Sequence, residues 1–274
     1  AANRMKVDNA LSAQKKEELD LTESSQEGME NIIDAAGESV EGAIIIWNDI
    51  KEFLDNFKFI DINIDLYVNF SEELNNDLEK YLNFKKEIIK IGYFKSIYFT
   101  ESGNYGIDVV GFLNSYSKML KLGLSYKNII KIHSKTNKKW LISLTYALMG
   151  NPTIIEKNFD YINEENVGMI GYTKYNSVDY LSKESCCYKN LGTYLNYFEI
   201  NITNDSEFIP GRIFWIKEEI LRKYLTQNNI HKIINSFNTD NKNDIDGKIQ
   251  ALERLFGIFV KSEQKDIISI EDTL

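Results

Sequence analysis

Asn128–Trp140 reads NIIKIHSKTNKKW, an apolar run suited to a buried strand that ends abruptly in His133, Ser134 and Lys135. In an open α/β sheet, ligands sit outside the carboxyl ends of the strands, so residues that finish such a strand face whatever the protein binds. Lys138 and Lys139 follow, where a helix is expected to begin. A solvated turn is the plain reading of lysines after a strand. Context favours a phosphate site. The chain carries 41 Asp+Glu against 32 Lys+Arg, a formal net charge of -9, yet this stretch gathers Lys131, Lys135, Lys138, Lys139 and one of only two histidines. A positive island in an acidic chain suits one bound anion, and the overall acidity argues against nucleic acid as a partner.

Working outward, the neighbouring segments alternate strand and helix. Ala43–Trp47 (AIIIW) is a short continuous apolar run, as expected of a central strand. Ile50, Phe53, Leu54 and Phe57 then recur at i, i+3, i+4, i+7 and predict a helix. Asp61–Phe70 alternates, with Ile62, Ile64, Leu66 and Val68 on one side, and Ser71 suits the N-cap of a helix bearing Leu74, Leu78 and Leu82. Ser96–Thr100 predicts a further strand. The helix after it buries Val109, Phe112, Leu113, Tyr116 and Leu120, and returns the chain to Asn128. Such alternation predicts a mostly parallel sheet flanked by helices, an α/β fold with right-handed crossovers.

Trp140–Met149 reads as an apolar helix, with Trp140 in the core, stopped by Gly150-Asn151-Pro152. Beyond it, Gly168–Tyr172, Tyr197–Ile202 and Phe208–Lys217 are strand candidates, and Ile249, Leu252, Leu255, Phe256 and Phe259 share one face of a helix from about Gly247 to Val260. The expected organisation is an N-terminal extension over 1–42, helical or loosely ordered, a domain over 43–262 and a tail over 263–274.

At 274 residues, 43% hydrophobic and 12% aromatic, the chain can bury a substantial core. No apolar run approaches the ~18 residues needed to span a bilayer, and the first residues lack a signal peptide's apolar centre. A soluble, cytoplasmic chain is therefore expected, with peripheral docking to a membrane left open. The two cysteines, Cys186 and Cys187, are neighbours and do not make a disulfide framework. Two His and two Cys also leave little material for zinc, so any metal would use carboxylates.

Three stretches, in order, carry a resemblance: Asn104-Tyr105-Gly106-Ile107-Asp108 with Gly111-Phe112-Leu113, then Lys131-Ile132-His133-Ser134-Lys135, then Pro210-Gly211-Arg212-Ile213-Phe214-Trp215. Together with Asp65-Leu66-Tyr67-Val68 and with Asp246-Gly247 leading into Ala251–Phe256, they resemble the rhamnan synthesis protein F family of glycosyltransferases over roughly Ala43 to Val260. The family often has a basic residue where Ile107 stands and a histidine where Gln250 stands.

The resemblance implies a GT-A-type fold and transfer of a sugar, L-rhamnose being one candidate, from a dTDP-, UDP- or GDP-linked donor to a polysaccharide, glycoprotein glycan or lipid-linked glycan, probable inversion included. Many GT-A enzymes hold Mn²⁺ or Mg²⁺ with an Asp-x-Asp at the central strand's end. His133-Ser134-Lys135 occupies that place here, so a metal-independent reaction is expected, with His133 and Lys135 stabilising the departing diphosphate; a divalent ion is the alternative. Asn69, Asn104, Gly106 and Asp108 are candidates for nucleotide or sugar contacts, Asp108 equally for a helix cap. Asp246 or Glu253 would take the acceptor hydroxyl's proton. Gly211 and Trp215 would form a sugar wall, although Trp215 equally suits the core.

Competing classes are distinguishable. A dinucleotide oxidoreductase would want G-x-G-x-x-G after the first strand, where Trp47-Asn48-Asp49 stands, and a P-loop kinase would want G-x-x-x-x-G-K-[ST], which is missing. A non-catalytic carbohydrate- or nucleotide-sugar-binding module on the same fold remains the main alternative.

Overall fold

Strands and helices of this chain line a large cavity. The computed structural model describes residues 40–103, 107–135, 137–176, 186–200, 207–237 and 242–271. In chain order these form α1 (Val40–Leu54), β1 (Asp65–Ser71), α2 (Leu78–Ile89), β2 (Ser96–Ser102), α3 (Ile107–Lys121), β3 (Asn128–Lys131), α4 (Lys138–Met149) and α5 (Pro152–Asn163). There follow β4 (Val167–Gly171), β5 (Tyr175–Asn176), α6 (Cys186–Phe198), β6 (Glu207–Phe208), β7 (Phe214–Lys217), α7 (Glu218–Tyr224), α8 (Gln227–Ser236), α9 (Lys242–Ser262) and β8 (Asp266–Ser269). The fold is mixed α/β.

β1 and β2 pair in parallel as one small sheet, and β3-β7-β4-β8 form a second in which β7 runs against its neighbours. β5 and β6 make a short antiparallel pair. The strands are therefore divided among three sheets instead of forming one continuous sheet. In the second sheet successive side chains point to opposite faces. Met169 and Ile216 join the core built with α3, α6, α7, α8 and α9, whereas Ile170 and Trp215 join the core beneath α1, α4 and α5. A smaller cluster of Phe70, Tyr81, Phe84 and Ile88 holds α2 on the β1–β2 pair.

Several helix starts follow the local chemistry. Asn137 caps α4 by accepting from the Trp140 N–H, and Asn151 caps α5 by accepting from the Ile154 N–H with Pro152 in the first turn. The face of α9 predicted from Ile249, Leu252, Leu255, Phe256 and Phe259 is buried.

Three expectations are corrected. Ala43–Trp47 lies inside α1 and is not a strand, because a short apolar run without periodicity fits either state. Tyr197 and Phe198 end α6, so the strand expected over Tyr197–Ile202 does not start there; residues 201 and 202 lie outside the described residues. The expected strand over Phe208–Lys217 is interrupted between β6 and β7, where Gly211 and Arg212 both take positive φ. The chain beyond 262 is structural: β8 pairs with β4. The extension over 1–42 lies outside the described residues except for its last three. Among the described residues no helix is long and apolar enough to cross a membrane.

Candidate functional site

The site is built where β3 ends, α3 begins and the loop before β7 passes. Asp108, in the first turn of α3, points into a cluster of cations: Lys131 Nζ is 2.5 Å from Oδ2, and Arg212 Nε lies 3.0 and 3.2 Å from the two carboxylate oxygens. Lys131 also donates to the Arg212 carbonyl at 3.0 Å. The side chains of Asp108 and Lys131 are only 4% and 2% exposed, so this is a buried ion cluster. Burial works against ionisation of Asp108, but attraction to the cations around it, His133 once acid protonates it, Lys131 and Arg212, more than offsets burial and holds the carboxyl far below the usual carboxylate range. Burial lowers the Lys131 ammonium from its ordinary value, against the pull of Asp108.

His133 follows two residues after Lys131, and its Nε2 lies 2.9 Å from the Gly211 carbonyl. Burial pushes the imidazole down to about 3, against the attraction of Asp108. A neutral ring bonded to a carbonyl must donate through Nε2, which leaves a lone pair on Nδ1. That Nδ1 is buried and has no partner among the described residues. His133 is therefore arranged to accept a hydrogen bond from a bound group, such as a hydroxyl, and not to act as the diphosphate-binding cation expected of it.

Lys135 is partly buried and lines the cavity. Its Nζ sits 4.2 Å from the centre of the Trp140 ring, and burial, with repulsion from Arg212, lowers its pKa to about 8. Trp140, expected in the core, is 44% exposed at the first turn of α4. The expected wall residue Trp215 is only 2% exposed within β7 and serves the core, although its edge reaches the cavity. The aromatic surface offered beside Lys135 is that of Trp140.

Gly211 and Glu253 fix the loop. The Gly211 N–H donates to Glu253 Oε1 at 2.6 Å, and Arg212 Nη1 lies 3.8 Å from the same oxygen. Gly211 has φ +85°, and a Cβ there would come within 2.8 Å of Leu144 Cδ1 and 3.2 Å of the Trp140 ring. Only glycine meets both conditions. Arg212 at φ +57° continues the left-handed turn, an uncommon conformation for a residue with a side chain. Pro210-Gly211-Arg212 thus turns the chain so that a guanidinium reaches Asp108 and a carbonyl reaches His133.

Other predicted site residues are placed differently. Asn69 donates to Ser102 Oγ at 2.8 Å and accepts from Thr100 Oγ1 at 3.0 Å, so its amide joins β1 to β2. Asp108 has both oxygens engaged by Lys131 and Arg212 and organises cations instead of receiving a sugar hydroxyl. Asn104 and Gly106 lie outside the described residues. Asp246 lies seven residues before Glu253 on α9, about 10 Å along a helix axis, and only Glu253 reaches the cluster. Sequence reasoning did not single out Lys131 and Arg212, although both stand in the segments quoted. No described set of three His, Cys, Asp or Glu side chains could hold a metal ion, and the carboxylate closest to the strand end, Asp108, is already paired. The described residues do not fit a divalent ion.

The site opens into a cavity of about 1150 Å³ lined by β1, by β3 and its continuation to Lys135, by Arg212 and by Trp140. Comparison of the chain with protein-family models, with curated proteins and with solved structures finds no match.

Proposed function

We propose that the protein is a GT-A-like glycosyltransferase whose donor is a nucleotide diphosphate sugar. The observation that carries the reading is the cation-lined mouth of the cavity at the carboxyl end of β3, where Lys135 stands beside an exposed indole and Arg212 beside Asp108. Anionic ligands are held at such strand ends in α/β sheets. The ordered segments around Asp108, His133 and Arg212 that resemble the rhamnan synthesis protein F family support the same reading.

In this reaction an acceptor hydroxyl oxygen attacks the anomeric carbon, the bond from that carbon to the diphosphate oxygen breaks, and the diphosphate leaves with the electron pair. Lys135 and the Arg212 guanidinium stabilise the charge that gathers on it. The lone pair on His133 Nδ1 orients a hydroxyl of the sugar or acceptor. The indole of Trp140 covers the apolar face of a pyranose. The hydroxyl proton goes to a carboxylate, with Asp246 and Glu253 as the candidates.

A second reading, a binding module without turnover, is favoured by one observation: Asp108 and Glu253, the described carboxylates in the cluster, are both already held, by cations and by the Gly211 N–H. Thermal-shift titration with UDP-, dTDP- and GDP-sugars, with and without Mn²⁺, tests donor binding. Stabilisation by one of them without metal, abolished in Lys135→Ala, is expected; no stabilisation by any would sink the enzyme and favour a non-catalytic carbohydrate-binding module. Release of free sugar from the bound donor distinguishes the enzyme from the module.

A further inference from the structure

Among the described residues β2 is paired on one side only. Seven consecutive register pairs join it to β1 without a shift, and its other edge meets no strand. The Lys95 N–H donates to the Ile64 carbonyl, so by alternation the backbone groups of Ser96, Tyr98 and Thr100 point away from β1, to that open edge. A regular edge of this length, carrying Ile, Tyr and Phe and no proline or bulge, is a template for a further strand. β8, the outer strand of the larger sheet, has only four residues.

α2 adds an apolar strip beside the open edge. Tyr81, Phe84 and Ile88 bury one face of this helix against Leu66, Val68 and Phe70 of β1 and Ile97 and Phe99 of β2, so α2 lies over the strand pair. Leu78, Leu82, Lys85 and Ile89, at i, i+4, i+7 and i+11, share the adjoining face. Lys85 fixes the direction of that face, because its Nζ bonds Glu101 of β2 at 2.8 Å. Phe84 meets Trp47 of α1 on the other side, with ring centres 6.4 Å apart. Leu78, Leu82 and Ile89 therefore overhang the open edge, and they are 58%, 46% and 58% exposed.

The edge is complementary to itself. Residues 95 to 101 read Lys-Ser-Ile-Tyr-Phe-Thr-Glu. Laid antiparallel on a copy with Tyr98 opposite Tyr98, the strand sets Lys95 against Glu101, Ser96 against Thr100 and Ile97 against Phe99. Opposite charges, hydroxyls and apolar groups are thereby matched across the pair. The helices suit the same arrangement. A helix over the middle of a strand pair lies one strand spacing, about 4.8 Å, from a two-fold axis at the pair's outer edge, so two copies of α2 would stand about 10 Å apart, the separation at which helices pack. Leu78, Leu82 and Ile89 would fill the seam between them.

We infer that the open edge of β2 and the overhanging face of α2 form the docking surface for a second copy of this chain, β2 against β2 about a two-fold axis through Tyr98. The pairing is closed, so it yields a dimer and not a filament. It satisfies the backbone groups of the edge and removes from water the strip that α2 leaves there.

Sedimentation of the full chain should give twice the chain's mass. Leu82→Glu, at a position exposed in the single chain, should leave the far-UV circular dichroism unchanged and convert the dimer to monomer. Cross-linking reads the register. At the axis the two copies of residue 98 form a hydrogen-bonded pair with Cα atoms about 5.5 Å apart, within disulfide reach. Tyr98→Cys should therefore give a covalent dimer under mild oxidation, and the unsubstituted chain should not. In Ser96→Cys the two introduced thiols stand four residues apart along the strands, about 13 Å, and should not join. A monomeric unsubstituted chain overturns the inference. So does a dimer that survives Leu82→Glu, or one that Ser96→Cys locks and Tyr98→Cys does not.

Discussion

Replacing Asp108 by Asn removes the carboxylate bonded to both Lys131 and Arg212 while keeping the side chain's shape. Lys131 is 2% exposed, so its ammonium would be left in the interior with only the Arg212 carbonyl as a described partner. Breaking a buried pair from one side costs about 3–5 kcal/mol. Lys131 can escape part of this by losing its proton, since burial already lowers its pKa, so about 3 kcal/mol is the expected loss for Asp108→Asn. At about 2–4 °C per kcal/mol for a domain of this size, Tm should fall by roughly 6–12 °C. The sign with pH follows. In the variant, the unfolded chain binds a proton on Lys131 more readily than the folded chain does, so stability rises with pH through the interval below the lysine's ordinary 10.5. The second variant carries the logic further: Asp108→Asn with Lys131→Met removes the stranded charge, and should recover at least half of the loss, because apolar replacement of buried pairs is often close to neutral. Urea denaturation of the three proteins at pH 7 and pH 9 measures all of this. A single variant within about 0.5 kcal/mol of the unsubstituted chain, or a double variant no more stable than the single, would refute the description of this cluster as a buried, mutually dependent ion network.

Gly211→Ala should cost about 1–3 kcal/mol from its left-handed backbone alone, with more from the contact with Leu144, and denaturant midpoints will register it. Lys135→Ala should leave Tm nearly unchanged and abolish nucleotide-sugar stabilisation; retained stabilisation would move the anion site elsewhere. Because the Lys135 pKa is lowered to about 8, its charge is lost as pH rises through that value, so nucleotide-sugar binding should weaken above pH 8, as calorimetric titration across pH 6.5–9 would show. His133, with its pKa pushed down to about 3, is neutral in the folded chain where the unfolded chain would protonate it, so stability should fall as pH drops from about 6.5 toward 3. A His133→Gln variant, which retains a donor for Gly211, should show a shallower acid limb in pH-dependent melting.

How much of this was legible in the sequence depends on whether the signal is local. Of the alternation read over Asp61–Phe70 the part from Asp65 is found as β1, the apolar spacing from Val109 to Leu120 as α3, and the face from Ile249 to Phe259 as part of α9, because each follows from the period of its own element. The strand expected over Asn128–His133 is found as β3, ending at Lys131, with Lys135 beyond it. Ala43–Trp47 carried no period, so its state depended on neighbours that sequence does not name. The placement of Asp108 was harder still. Its pairing with Arg212 spans 104 positions, and nothing within either segment encodes the other. A buried lysine such as Lys131 is legible only once its carboxylate is known, because the same residue in isolation reads as a solvated charge. The exchange of roles between Trp215 and Trp140 has the same origin: both are apolar, and only the sheet and α4 decide which one meets water.

The position of β8 has a consequence for how the chain reaches this state during synthesis. Its residues pair with β4, and Asn166 bonds to Asp266 across 100 positions. β4 therefore leaves the ribosome before either of its partners, and its β8 edge stays uncovered while about 100 further residues are made. Translation at ≈ 5–20 residues per second makes that wait several seconds long, during which a fully apolar strand is open to pairing with other nascent chains. Stop codons or proteolysis upstream of Asp266 would make the wait permanent, so shortened products of this chain should collect in aggregates and not as partly active protein.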